Sequence, residues 1–528
     1  MIWMLLLLGP GEISPLAESL RNRVENALAN GIYDCGDEQL MHGSHLTDFY
    51  MTHDFEPRWM EIDQPKDKFH QLIDCLKKAS DHGLDPNDYH VHQLSSFLEA
   101  FAKGPSARLA VDMELLASDA FLSYASHLVS GSVDPKTLDP EWHIERSEQD
   151  PRMLLQQLEG NLSRLFEGLA PQSPQYRRLQ KALKLWQSRQ VEGHWDQLES
   201  GPIIKPGGKH PQVALIKRRF AVTPETENYD EPLISIIKDF QKRHYLEADG
   251  KIGDQTRAVL NLTPAMKVAQ IKANLERWRW LPRTFAETHI DINIAGFDLK
   301  VIDRNETVLA MDVIVGRPFR QTPVFTATMR YLVLSPYWHV PPMLANQDKL
   351  PDFKQDPQKL IDLGFRVFDG WGVHATELDP MSINWKAMKT SMPYRLRQDP
   401  GPQNALGQVK FMFPNEYNVY LHDTPARELF KKAQRGLSSG CIRVSEPMRL
   451  AQYLLQDQPE WTPERIDSVI AARQETTITL TRPIQVLLLY WTVLVQDEEV
   501  YFLQDLYGRD QILIESLKKV TSQIEDQP

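Results

Sequence analysis

The chain has 528 residues, and Asp plus Glu (71) exceed Lys plus Arg (59) for a formal net charge of -12. That length points to two to four domains, and a hydrophobic share of 42% leaves room for a sizeable core. The acidic balance, with no basic run, argues against a nucleic-acid binder, whose surface must neutralise phosphates. A local basic pocket for an acidic ligand stays compatible with it.

In chain order, Met1 to Pro10 holds an apolar run far short of the ~20 residues a membrane-crossing helix needs, and it lacks a basic leader. Residues 1–11 read as the remnant of a signal or anchor segment, with a short buried segment as the alternative. From about Glu12 to Trp195 the spacing is helical. Leu72, Cys75 and Leu76 fall on one face, and Leu115, Leu116, Ala120, Phe121 and Tyr124 repeat the pattern. Turns break the run at His82 to Pro86 and at Gly131 to Pro135. No cluster of catalytic residue types stands out, so residues 12–220 read as a helical scaffold. Cys35 and Cys75 are either a disulfide in an oxidising compartment or two free thiols. Neither lies in a pattern that would hold zinc, so no metal site is expected.

Residues 201–211 look like a linker or an exposed loop. A compact unit follows, assigned to 221–264: a helix with Ile234, Ile237 and Gln241, a turn at Asp249-Gly250, then a second helix to Leu260. It lacks the acidic ligands of a calcium loop. After Pro264 comes a helix carrying Trp278 and Trp280. The period then changes to two over His289 to Ile294, Phe297 to Val301 and Val308 to Val315, which predicts strands. Residues 336–402 are Pro-rich, aromatic and irregular, a candidate capping insertion with Tyr337, Trp338 and Tyr394. Strand signals resume at Val409 to Phe413 and Val419 to Leu421, and a helix is expected from about Glu446 to Leu455. Ile484 to Val495 reads as a strand entering a hairpin through Gln496 to Glu499.

Two segments carry the chemistry: Val419-Tyr420-Leu421-His422 and Leu437-Ser438-Ser439-Gly440-Cys441-Ile442-Arg443. A free thiol is only a few per cent ionised at neutral pH, so a nucleophilic cysteine needs a base, and histidine is the usual one. His422 ends an apolar strand and Cys441 follows a turn, positions from which side chains project into a cleft. Gly440 allows close backbone approach, so amides near Cys441 are candidate oxyanion donors. The alternative is a small buried cysteine and an unrelated histidine. Papain-like and caspase signatures do not fit the order or the spacing.

The His422 to Cys441 stretch resembles the catalytic motif of the L,D-transpeptidases (YkuD-type domain). Val313 to Phe325, with Gly316 and Thr322-Pro323, and Asn404-Ala-Leu-Gly407 are similar to that family as well. Asp48 to Trp59, Gly83 to Tyr89, Tyr490 to Thr492 and Asp505 to Asp510 resemble the large Gram-negative subgroup. Phe240-Gln241, Asp249 to Gly253 and Thr256 resemble a peptidoglycan-binding repeat. Departures are Ser439, where many members have histidine, and the lack of a glycine two residues after Thr322-Pro323.

The resemblance implies a multidomain α+β protein: helical scaffold, small peptidoglycan-binding module, and a β-rich catalytic domain over 265–480 with its insertion. Residues 481–528 are then a C-terminal hairpin and helix packed on one of the larger domains. It implies a cysteine acyltransferase without cofactor that forms 3→3 cross-links in peptidoglycan. Cys441 is the nucleophile and His422 the base, paired as thiolate and imidazolium. Gly440 and Cys441 amides with Tyr420 hold the oxyanion, Ser439 lies in the motif, and Arg443 holds a substrate carboxylate. A backbone carbonyl near the motif is the family's usual group orienting the histidine. Expected partners are stem peptides, wall glycan and other cell-wall synthesis proteins, in the periplasm or at an inner-membrane anchor, with carbapenems as inhibitors. The alternatives are an L,D-carboxypeptidase, attachment of a lipoprotein to the wall, or a non-catalytic wall-binding scaffold.

Overall fold

The structure is a computed structural model that describes residues 14–525 except 37, 148–149, 157, 159, 192–194 and 373. The segment 1–11, read as a signal or anchor remnant, lies outside the described residues. Among those described, no helix is long and apolar enough to cross a membrane.

The scaffold is organised around α1 (Ala107–Ser130), capped by the Ser106 side chain on the Leu109 amide and buried without a break from Ala110 to Ala125. A helix enclosed on every side must satisfy its polar residues internally. Glu114 does so by accepting the amides of Arg58, Trp59 and Met60 and the Tyr50 hydroxyl. Cys35 and Cys75 are free thiols.

Three short helices, α2 (Pro211–Arg219), α3 (Glu231–Arg243) and α4 (Asp254–Leu260), form the next unit. Leu198, Ile204, Val213 and Ile216 share its core with Leu233, Ile237 and Ile252. The 201–211 stretch, expected to be a linker or an exposed loop, is mostly exposed but belongs to this unit: Ile204 is buried and bridges Ile252. Polarity and prolines suggested a loop, but Ile204 brings enough apolar surface to be drawn in. The Gln241 side chain staples the turn, accepting the Gly250 amide and donating to the Lys251 carbonyl, each at 2.8 Å.

After α5 (Pro264–Arg279) the chain builds a barrel. Its strands are β1 (Thr288–Asn293), β2 (Asp298–Asp303), β3 (Glu306–Gly316) and β4 (Phe325–Leu334). The insertion adds β5 (Trp338–His339), β6 (Phe365–Phe368), β7 (Glu377–Leu378) and β8 (Arg395–Gln398). The barrel resumes with β9 (Val409–Met412), β10 (Leu421–His422), β11 (Gly436–Ser438), β12 (Ile442–Val444) and β13 (Thr476–Leu489). Neighbours run β3-β12-β10-β9-β4-β13-β1-β2, and β2 pairs back onto β3 to close the circle, with β11 attached to β3. Closure removes the exposed edges of so twisted a sheet. β13 crosses residue 480, where the sequence reading ended this domain, because its apolar half pairs with both β1 and β4.

The 336–402 insertion, irregular by sequence, has a small sheet (order β5-β8-β6-β7) and its own core of Leu350, Phe353, Val367, Trp385 and Leu396. Asn404, 1% exposed, ties its two ends together by donating to the carbonyls of Pro336, Gln398 and Asp399. The final hairpin, β14 (Val493–Gln496) and β15 (Glu499–Phe502), returns Val493, Val495 and Phe502 to the scaffold core, and α6 (Arg509–Glu525) closes the chain.

Candidate active site

The parallel pairing of β10 and β12 positions the reacting groups. Leu421 lies opposite Ile442 and His422 opposite Arg443. Strand alternation sends Leu421 and Ile442 into the barrel core, so His422 and Arg443 take the other face. One residue back along each chain, Tyr420 and Cys441 fall side by side on that same face, with the Ile442 amide donating to the Tyr420 carbonyl at 3.1 Å. The Tyr420 phenol lies near enough to the Cys441 thiol for each to shift the other's ionisation, and the Tyr420 and His422 ring centroids are 5.8 Å apart. Cys441 and His422 are thus diagonal neighbours on adjacent strands, about 7–8 Å apart by sheet geometry, with Tyr420 near both.

His422 is oriented by main chain: its Nδ1 lies 2.5 Å from the Asp423 carbonyl oxygen. Nδ1 therefore carries the proton and donates, and Nε2 is left with the lone pair of a base. Asp423 is itself fixed, its carboxylate accepting the Gln408 and Thr424 amides and an Arg427 guanidinium hydrogen bond. Gly407, at φ +59, leaves space for it; a Cβ there would fall 2.3 Å from the Asp423 carboxylate.

The turn before Cys441 is braced from β3. Thr322 Oγ1 accepts the Gly316 amide at 2.9 Å and donates to the Gly440 carbonyl at 2.8 Å. The Tyr507 hydroxyl donates to the Gly316 carbonyl at 2.7 Å. Gly440 has φ +116, a conformation that disfavours any side chain. Its amide donates to Ser438 Oγ at 3.1 Å, which corrects the expectation that this amide faces an oxyanion. The Cys441 amide has no acceptor among the described residues. Ser439 does not approach His422; its hydroxyl accepts from Arg320 at 2.9 Å, and Arg320 pairs with Asp348 of the insertion at 2.8 Å.

Burial pushes the Cys441 thiol up to about 11, opposed by the Tyr420 amide and hydroxyl and by the Arg443 charge. Burial, then Arg443, holds His422 down to about 3. Both directions favour the neutral forms, an imidazole and a thiol that donates to the Asn418 carbonyl at 3.6 Å. The expected thiolate and imidazolium would each lose hydration on this face. Arg443 is half-buried, and its Nε has no partner among the described residues.

Sequence reasoning passed over Lys410, which sits directly opposite His422 on β9, and Arg317, whose Nε donates to the Leu437 carbonyl at 3.1 Å. Alternation in Val409-Lys410-Phe411-Met412 put Lys410 on the outer face, but only the β9–β10 register shows that this is the face of His422. Among the described residues no group of three His, Cys, Asp or Glu side chains is arranged to hold a metal.

Fold and site define a multidomain α+β protein with a cysteine–histidine face on a closed β-barrel. Residues 287–468 match the family model of the L,D-transpeptidase catalytic domain, 44–183 that of the scaffold domain, and 210–260 that of a provisionally assigned peptidoglycan-binding domain. The chain carries an L,D-transpeptidase catalytic domain together with those two companions. A Haemophilus influenzae protein provisionally named an L,D-transpeptidase is 35% identical over 46% of this chain and 48% of its own length. The match thus spans about half of that curated relative. Similar solved structures include an L,D-transpeptidase from Xylanimonas cellulosilytica (13% identity, 56% of this chain and 100% of that chain, TM-score 0.18). Another is an L,D-transpeptidase in complex with imipenem (13% identity, 38% of this chain and 59% of that chain, TM-score 0.17).

Proposed function

We propose that the protein forms 3→3 peptidoglycan cross-links by ping-pong acyl transfer, acting in the periplasm or cell envelope. The observation that carries this is the shared face of Cys441, Tyr420 and His422, with His422 Nδ1 held by the Asp423 carbonyl.

The Cys441 sulfur attacks the carbonyl of the third stem residue, a diaminopimelate, while its proton passes to His422 Nε2. Burial favours the neutral form of both groups, so proton transfer accompanies C–S bond formation. The Cys441 amide and the Tyr420 hydroxyl are the donors for the oxyanion. Burial raises the Tyr420 phenol above its ordinary range, which keeps it a donor at neutral pH. The C–N bond breaks, and D-alanine leaves with the proton from His422. A side-chain amine of a second stem then attacks the thioester, giving its proton to His422, and the sulfur leaves as the thiol. With water as acceptor the same site would act as an L,D-carboxypeptidase.

The experiment is intact-mass measurement with a carbapenem, paired with a muropeptide assay. Wild type is expected to gain one covalent adduct and to make tetra–tri dimers, and Cys441→Ala to do neither. An adduct that persists on Cys441→Ala would reject the nucleophile assignment.

A further inference from the structure

A row of side chains crosses the outer face of the barrel at the level of the catalytic histidine. Arg443 on β12 lies opposite His422 on β10, and His422 lies opposite Lys410 on β9. Beyond Arg443 the row reaches Ile314 of β3, and beyond Lys410 it reaches Val333 of β4. The histidine is therefore bracketed by two cations at one strand spacing each, about 4.8 Å along the sheet. Among the described residues neither cation has a carboxylate within ion-pair distance. Among the described residues Arg443 Nε has no partner and Lys410 makes no side-chain hydrogen bond; the carboxylates that pull on them, Glu428 on Arg443 and Glu475 on Lys410, stay beyond ion-pair distance. In a chain of net charge -12, two half-buried cations on the face of one base, neither held in an ion pair among the described residues, mark an acceptor for anions. Burial lowers Lys410 from its ordinary range, and a bound carboxylate would reverse that.

The direction from nucleophile to base orders the substrate. Cys441 stands above β12 and attacks the carbonyl carbon. His422 stands one strand over, on β10, and must reach the nitrogen that leaves. The acyl half of the scissile bond therefore lies on the β12 side with Arg443 and Arg317, and the leaving half extends toward β9 and Lys410. In a peptide that ends one residue after the scissile bond, the terminal carboxylate follows that nitrogen by two bonds, within the span of a lysine side chain.

We infer that Lys410 binds the terminal carboxylate of the residue expelled from the donor, which makes the site exo-acting on peptides ending one residue past the scissile bond. The inference rests on the acyl-transfer reading above and adds the group that selects where the donor chain stops.

The test compares two donors on the full-length protein, a tetrapeptide stem with a free C-terminal carboxylate and the same stem as its C-terminal amide. The readout is release of D-alanine or D-alaninamide. In wild type, amidation is expected to lower kcat/KM at least tenfold, mainly through KM. In Lys410→Met the free acid loses activity and the two donors converge to within about twofold. Lys410→Arg is expected to keep the preference for the acid, which separates recognition of charge from a defect of folding. Equal use of both donors by wild type, or an undiminished preference in Lys410→Met, overturns the role of Lys410 and leaves the enzyme reading standing. No release from either donor by wild type overturns both.

Discussion

Burial acts on the two reacting side chains in opposite directions, lifting Cys441 to about 11 and holding His422 near 3. Between those values neither group changes protonation, so acylation by a carbapenem is expected to be flat from about pH 5 to about pH 9. A preformed ion pair would instead give a bell with limbs nearer the reference values of ~6.5 and ~8.5. Stopped-flow rates across that range decide between them. His422→Ala should slow acylation by about 10²–10⁴-fold, the ordinary contribution of a positioned base. Both residues were singled out in the sequence through the resemblance of their motif to the L,D-transpeptidases. Their charge state was not legible there, since it depends on how much of the face the insertion and the neighbouring strands cover.

At the scale of elements, the insertion is held to the catalytic turn by Ser439, Arg320 and Asp348. The ion pair is partly exposed, with side-chain exposures of 12% and 38%, so its loss costs under about 1 kcal/mol. Asp348→Asn is therefore expected to raise KM for the stem several-fold while leaving the melting temperature nearly unchanged. A normal KM in that variant would show that the insertion is held by its core alone. The scaffold contains a different device: His90 lies between Glu38 at 2.9 Å and Asp119 at 3.2 Å. Burial opposes its charge, but the hydrogen bonds to Asp119 and Glu38 prevail and raise it to about 9. Its stabilising contribution is complete below the unfolded value near 6.5, declines above that, and is lost as pH rises through about 9. The melting temperature of His90→Gln should fall well below wild type at pH 6 and approach it at pH 10. A gap that stays constant with pH would sink this account.

At the scale of the molecule, α5 joins scaffold to barrel. Glu276, fully buried, accepts the Ser132 and Val133 amides of a scaffold turn at 2.5 and 3.1 Å, and also binds Arg279 and Trp280. On the same helix, Arg277 pairs with Asp510 of α6. The core of the scaffold likewise takes in the hairpin that follows the barrel. Glu276→Ala would strand Arg279 and two amides, a loss of about 3–5 kcal/mol by analogy with broken buried pairs. Urea unfolding should show it, and the near-wild-type midpoint that a surface residue would give counts against a joint at this position.

Local chemistry determined much of this protein from its sequence. Helical spacing gave the scaffold, period-two alternation gave the strands, and the His422 to Cys441 motif gave the proposed nucleophile and base, because each is a property of neighbours in the chain. Tertiary structure alone decided what depends on distant segments meeting. Ile204 joins the small module by pairing with Ile252. Gly316 and Thr322, more than a hundred residues upstream, brace the Cys441 turn. Lys410 joins the face of His422 and Cys441 only through its register with His422. Alternation fixes which face of its own strand a side chain takes, but which strand lies beside which is settled by closure of the barrel, and no local pattern encodes that.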